Sequence, residues 1–120
     1  MRTLLTAFAL LACPTLAHAS VDFKCESPQV VGWLHFGYAG ANGSVQLESW
    51  AGFPPVSLID ADLDAGTAVA PGAVRFQSQA DRTNGARAQV DLPPDYLAAD
   101  KFSARVILGK AFYALKCVRH

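Results

Sequence analysis

Several things are scarce in this chain of 120 residues, and each shortage removes a class of function. Neither sign of charge dominates, with ten Lys and Arg against ten Asp and Glu. No basic stripe is available to neutralise phosphates, which argues against nucleic acid as a partner. No acidic tail is present either. Cysteines number three, with no CxxC pair, so a metal knuckle or a redox couple has no local framework. Histidines also number three. No HExxH, no Ser nucleophile elbow and no Gly-rich phosphate loop can be found. No catalytic residue, metal ligand or cofactor site is therefore assigned, and the chain is expected not to be an enzyme.

Long apolar runs are missing too, apart from one short stretch at the start. Met1-Arg2 supplies a basic beginning, and residues 4–12 are apolar and uncharged. Pro14 then breaks any helix. Ala17-His18-Ala19 places small residues at the −3 and −1 positions of a cleavage site. This is the order of a secretory signal peptide. The apolar run is about ten residues, too short to cross a bilayer roughly 30 Å thick as a helix. Residues 1–19 are expected to be a cleaved signal and 20–120 a single mature domain. A competing reading is a lipoprotein signal, Leu10-Leu11-Ala12-Cys13, with the protein anchored through Cys13. Ala is abundant, 21 residues, while Ile, Asn and Lys are sparse, a skew typical of GC-rich genomes. A periplasmic or secreted setting follows.

Loss of Arg2 with the signal leaves nine basic against ten acidic residues. Roughly a hundred residues bury about 65% of the unfolded chain's surface, an adequate but marginal core. Cys25 and Cys117 then remain as the two mature cysteines, and in an oxidising compartment they are expected to pair. Closing a loop of roughly 90 residues is worth about 4–5 kcal/mol in the chain-entropy model.

What the mature chain does contain is period-two alternation broken by turn residues, the mark of strands. Val21, Phe23 and Cys25 alternate with Asp22, Lys24 and Glu26; Ala86, Ala88, Val90 and Leu92 alternate with Arg87, Gln89 and Asp91. One short stretch, 95–99 after Pro93-Pro94, looks helical for about a turn. Gly109-Lys110 suits a type II′ hairpin turn. Pairing outward sets Val106 opposite Tyr113, Ala104 opposite Leu115 and Phe102 opposite Cys117. A second hairpin, with the five residues 81–85 as its loop, sets Phe76 opposite Val90 and Arg75 opposite Asp91. The expected fold is all-β: a small closed meander barrel of about seven or eight antiparallel strands with its terminal strands linked by the disulfide. A β-sandwich is the alternative.

The richest segment for binding is 30–50, a hairpin with its turn at Gly40-Ala41-Asn42-Gly43. A two-residue or a four-residue loop there gives the same facing. Leu34, Phe36 and Tyr38 share a face with Val45, Leu47 and Ser49; Trp33, His35 and Gly37 share the other with Gln46, Glu48 and Trp50. Glu48 is rarely buried unpaired, so the Trp33–Trp50 face is expected to be at least partly exposed. The plainer reading has the Trp rings covering a barrel end and His35 bonded to Glu48. Trp50-Ala51-Gly52-Phe53-Pro54-Pro55 is a stiffened aromatic loop that would lose little entropy on docking; in its plainer form Phe53 tucks inward. The candidate binding residues are thus Trp33, His35, Glu48, Trp50 and Phe53.

Asp60, Asp62 and Asp64 followed by Gly66 resemble a calcium loop. The glycine falls one position late and Pro71 stands where the closing Glu belongs, so a solvated strand face is the better expectation. Asn42-Gly43-Ser44 is a formal glycosylation sequon. Taken together, the residues favour an exported, non-enzymatic module that binds another protein as its inhibitor or partner. The alternative is a domain that binds a glycan or small ligand through Trp33 and Trp50.

Overall fold

The computed structural model describes residues 20–120; the signal-peptide reading and Cys13 lie outside them. Nine strands follow one another: β1 (Val21–Ser27), β2 (Val30–Phe36), β3 (Ser44–Ser49), β4 (Val56–Asp62), β5 (Thr67–Val69), β6 (Ala73–Gln77), β7 (Ala88–Leu92), β8 (Lys101–Leu108) and β9 (Ala111–Arg119). All pairings are antiparallel, in one sheet of order β4-β3-β2-β1-β9-β8-β7-β6-β5. This is a single curled, barrel-like sheet, not a sandwich. It has nine strands where seven or eight were expected; β5 is only three residues long and left little alternation to read.

The first and last strands meet in the middle of the sheet. Cys25 pairs directly with Cys117 across β1 and β9, and the two form a disulfide. Both cysteines are buried, as alternation along each strand requires. One wing, β2 to β4, and the other, β8 back to β5, hang from that junction.

The wings curl into a half-barrel and touch at one corner. At the β4–β5 corner, Leu63 bridges to Ser78. The Asp64 amide donates to the Gln77 carbonyl at 2.8 Å, and the Gln79 amide donates to the Asp62 carbonyl at 2.7 Å. The Arg82 guanidinium then clamps Asp60 at 2.7 Å and Asp62 at 2.8 Å. Gly66 makes the corner possible: a Cβ there would stand 2.7 Å from side-chain atoms of Phe76 and Val74. A bulge opposite Leu47 and Glu48 adds to the bend of β4, since the extra residue sharpens local twist. Curling in this way removes part of the free edge that an open sheet would expose.

The two hairpins with clear turn chemistry have the expected registers. Val106 faces Tyr113, Ala104 faces Leu115 and Phe102 faces Cys117. Gly109 has φ +64°, the left-handed value that favours glycine in this turn. Phe76 faces Val90, and Arg75 makes a two-pronged bond to Asp91 at 2.9 and 3.0 Å. Loop 81–85 is organised by Asp81. Its carboxylate accepts from the amides of Thr83 at 2.7 Å, Asn84 at 2.9 Å and Asp60 at 2.8 Å. The Asn84 and Thr83 amides hold its pKa below the ordinary carboxylate value; burial opposes them, while the Asp60 amide and the Arg82 charge add to the lowering. The 95–99 stretch is a single hydrogen-bonded turn, with the Ala98 and Ala99 amides donating to the Asp95 carbonyl.

The β2–β3 connection differs from expectation. It runs over 37–43 and includes a short 3-10 turn, Tyr38–Gly40. Gly37 donates to the Ala41 carbonyl at 2.6 Å, and Ala41 donates to the Tyr38 carbonyl at 3.0 Å. The segment therefore satisfies its own backbone groups instead of extending the ladder. Register shifts by whole pairs, so the facing survives: Leu34, Phe36, Val45 and Leu47 are buried. Tyr38 does not join them. It sits on the turn, 69% exposed, which corrects its expected core position.

Inside the curl, Phe23, Phe36 and Phe76 are the largest fully buried side chains, packed with Leu34, Leu47, Ile59, Leu92 and Leu115. Each such burial contributes roughly 1.5–3 kcal/mol. Phe36 meets Phe76 at 5.3 Å and Tyr96 at 4.9 Å between ring centroids, and Phe76 meets Tyr96 at 5.7 Å. These separations suit favourable aromatic pairs.

Candidate functional site

The five candidate residues fall into two neighbouring groups on the outside of the first wing. Antiparallel register builds the first. Lys24, Trp33 and Gln46 form one row across β1, β2 and β3, and Asp22, His35 and Ser44 form the next. Their alternation with buried Phe23, Leu34 and Val45 points all six outward. Trp33 and His35 are only partly covered. His35 Nδ1 is paired with the Asp22 carboxylate, so its partner is Asp22 and not Glu48. The Trp33 ring meets the ring of His120 edge-on at 4.8 Å. His120 is held there by its amide, which donates to the Asp22 carbonyl at 2.9 Å.

Trp33 therefore stands between two shallow grooves. One, of about 430 Å³, is lined by Trp33 with Asp22, His35, Ser44, Gln46 and His120. The other, of about 150 Å³, runs past Gln46 to Glu48. An aromatic flank among hydroxyl, amide, imidazole and carboxylate groups offers a stacking surface with many hydrogen-bond positions.

The second group lies where β3 ends. Trp50 stands beyond the β2–β3 ladder, its amide donating to the Gln29 carbonyl at 2.7 Å. Its indole Nε1 donates to Glu48 Oε1 at 3.3 Å. The loop then passes through Ala51, Gly52, Phe53, Pro54 and Pro55 into the edge strand at Val56. Trp50 is 52% exposed, Phe53 90% and Val56 61%. Phe53 points into solvent, not inward. Seven consecutive residues, 50–56, carry no charge. The longer β2–β3 loop keeps Trp33 opposite Gln46 and leaves Trp50 at the strand end, so the two indoles belong to adjacent surfaces instead of one row.

Asp60, Asp62 and Asp64 do not converge. The first two grip Arg82, and Asp64 accepts from Gln79. Among the described residues no cluster of three or more His, Cys, Asp or Glu could hold a metal. No described helix is long and apolar enough to cross a membrane.

Sequence reasoning missed Asp22, Ser44 and His120 beside Trp33. The alternation of β1 already put Asp22 outward, but only the β1–β2 pairing sets it next to His35. No family model matches the chain, and no curated protein or solved structure resembles it closely enough to show kinship.

Proposed function

We propose that this is an exported, non-enzymatic binding module that docks on another protein through loop 50–56, as its inhibitor or partner. The observation that carries the reading is the exposure of Trp50, Phe53 and Val56 in an uncharged, proline-stiffened segment. Exposed apolar groups gathered in this way mark interaction surfaces. Aromatic anchors on a stiff loop lose little freedom on binding. The loop leads into β4, the terminal strand of the sheet; its first residues precede the stretch from Asp60 onward that Asp81, Arg82 and Gln79 engage, so a short edge capable of pairing with an extended segment lies beside the loop. The Cys25–Cys117 disulfide suits an oxidising, periplasmic or extracellular compartment.

The test is affinity capture from an extract of exported proteins, followed by titration of the purified captured protein. Phe53→Asp is expected to weaken that binding by about tenfold or more with an unchanged melting temperature. Equal binding by the variant, or failure to capture any protein, overturns the proposal.

A second reading is favoured by the Trp33 groove, whose aromatic and polar lining suits a sugar ring. Tryptophan fluorescence titrated with peptidoglycan fragments tests it. A saturable change lost in Trp33→Ala and kept in Phe53→Asp supports the glycan reading; no change removes it.

A further inference from the structure

The far end of the barrel holds a cleft that neither reading uses. It measures about 610 Å³ and opens between loop 37–43, the β4–β5 corner and the 93–100 segment. Its volume lies within the usual range for small-molecule sites. Val74, half-buried, supplies the accessible part of the apolar floor, and buried Leu63 and Phe76 reach it only at their edges. The walls are Ala39, Gly40, Ala41, Ala65 and Gly66, so little side chain intrudes.

Tyr96 is the second observation. The residue is 7% exposed and lines the cleft. Its hydroxyl makes no hydrogen bond among the described residues, and since no buried side-chain oxygen there lacks a partner, the oxygen is open to the cleft. Burial pushes its pKa up, so the group stays neutral. Gly40 lies against it: a Cβ at that position would stand 2.6 Å from the hydroxyl oxygen. Loop 37–43 is thus shaped to leave the phenol room.

Charge selects the ligand. Among the described residues, Asp64 is the one charged residue lining the cleft, and no Lys, Arg or His lines it. Asp64 Oδ1 accepts from Gln79 Nε2, while Oδ2 has no partner among the described residues. A carboxylate, a phenol oxygen and the Asn42 amide oxygen can all accept hydrogen bonds. An anion would meet repulsion and find no cation.

We propose that this cleft binds a small primary amine with an apolar, ring-sized body, the body against Val74 and the alanine walls and the ammonium held by Asp64 and Tyr96. The site is separate from loop 50–56 and stands or falls without it.

The experiment is an amide-shift NMR titration of the disulfide-bonded protein with three probes: 2-phenylethylamine, 2-phenylethanol and 3-phenylpropionate. The amine is expected to shift the amides of 39–42 and 64–66 saturably. The alcohol is expected to shift the same amides several-fold more weakly, and the carboxylate not at all. Asp64→Asn keeps an acceptor for Gln79 and is expected to lower amine affinity about tenfold while leaving the alcohol unchanged. Tyr96→Phe, which keeps the ring packing, is expected to weaken the amine as well. No saturable shift with the amine, an equal response to the carboxylate, or an Asp64→Asn variant that binds the amine as tightly as the parent would overturn the site.

Discussion

Aromatic residues occur at both ends of the barrel, and they are used in opposite ways. At the end carrying loops 37–43 and 93–100, Phe36, Phe76 and Tyr96 pack on one another and are buried. At the end carrying the 27–30 turn and loop 50–55, Trp50 and Phe53 stand out in solvent. Composition alone does not separate them, since both sets are large and apolar. Position does. Phe36 and Phe76 lie on inward positions of strands, and Tyr96 is folded over the opening by the 93–100 segment. Trp50 and Phe53 lie beyond the last ladder pair of β3, where no neighbouring strand can cover them. Because the first end already fills the core, the exposed rings at the second are not needed to complete it. The same chain therefore spends its aromatics on cohesion at one end and leaves them available for contact at the other.

The largest effect should come from cutting the junction that both ends share. Cys25→Ser or Cys117→Ser removes a bridge between residues 92 apart in sequence. A loss of about 4–5 kcal/mol is expected, read as a lower urea midpoint in both variants. An unchanged midpoint would mean that backbone pairing of β1 with β9 already supplies the restraint. Next, Phe36→Ala empties the buried aromatic end and should cost about 3–5 kcal/mol, measured by the same unfolding curves.

A smaller effect, with a defined pH signature, is expected at Asp81. Its carboxyl titrates below the ordinary value in the fold because backbone amides hold the charged form. Its stabilisation is therefore present above the unfolded pKa of about 3.9 and is lost as pH falls through the lower folded value. Asp81→Asn should lower the melting temperature at neutral pH and flatten its fall in acid. An acid slope identical to the parent's would show that Asp81 does not organise loop 81–85.

The comparison also shows what the residues themselves made legible. Where a turn residue has one sterically allowed role, as Gly109 does, pairing could be counted outward residue by residue, and β8–β9 and β6–β7 fold in that register. The pairing of Cys25 with Cys117 followed from their number and from the export expected of residues 1–19. Loop 37–43 was not legible in the same way. Asn42-Gly43 looks like a hairpin turn, but Ala39 and Gly40 take left-handed backbone values and the loop closes on itself. Parity protected the assignment of faces, since a shift by whole pairs leaves inward residues inward; it did not protect Tyr38. The exposure of Phe53 could be read only as one of two options, because a proline-rich loop carries no periodicity. The cleft beside Tyr96 was beyond sequence reasoning altogether. Its residues come from three segments, with Tyr96 in a stretch that reads only as a helical turn, and only the curl of the sheet brings them together.

The smallest effect on stability and the largest on binding are expected together, in the Trp50→Ala/Phe53→Ala double variant. One measurement tests the central claim, that the second end is for contact and not for cohesion: the unfolding free energy of this variant set beside its affinity for the captured partner protein. Stability within about 1 kcal/mol of the parent, with binding weakened by tenfold or more, is the predicted result. A variant that unfolds like Phe36→Ala, or one that still binds the partner as the parent does, would contradict it.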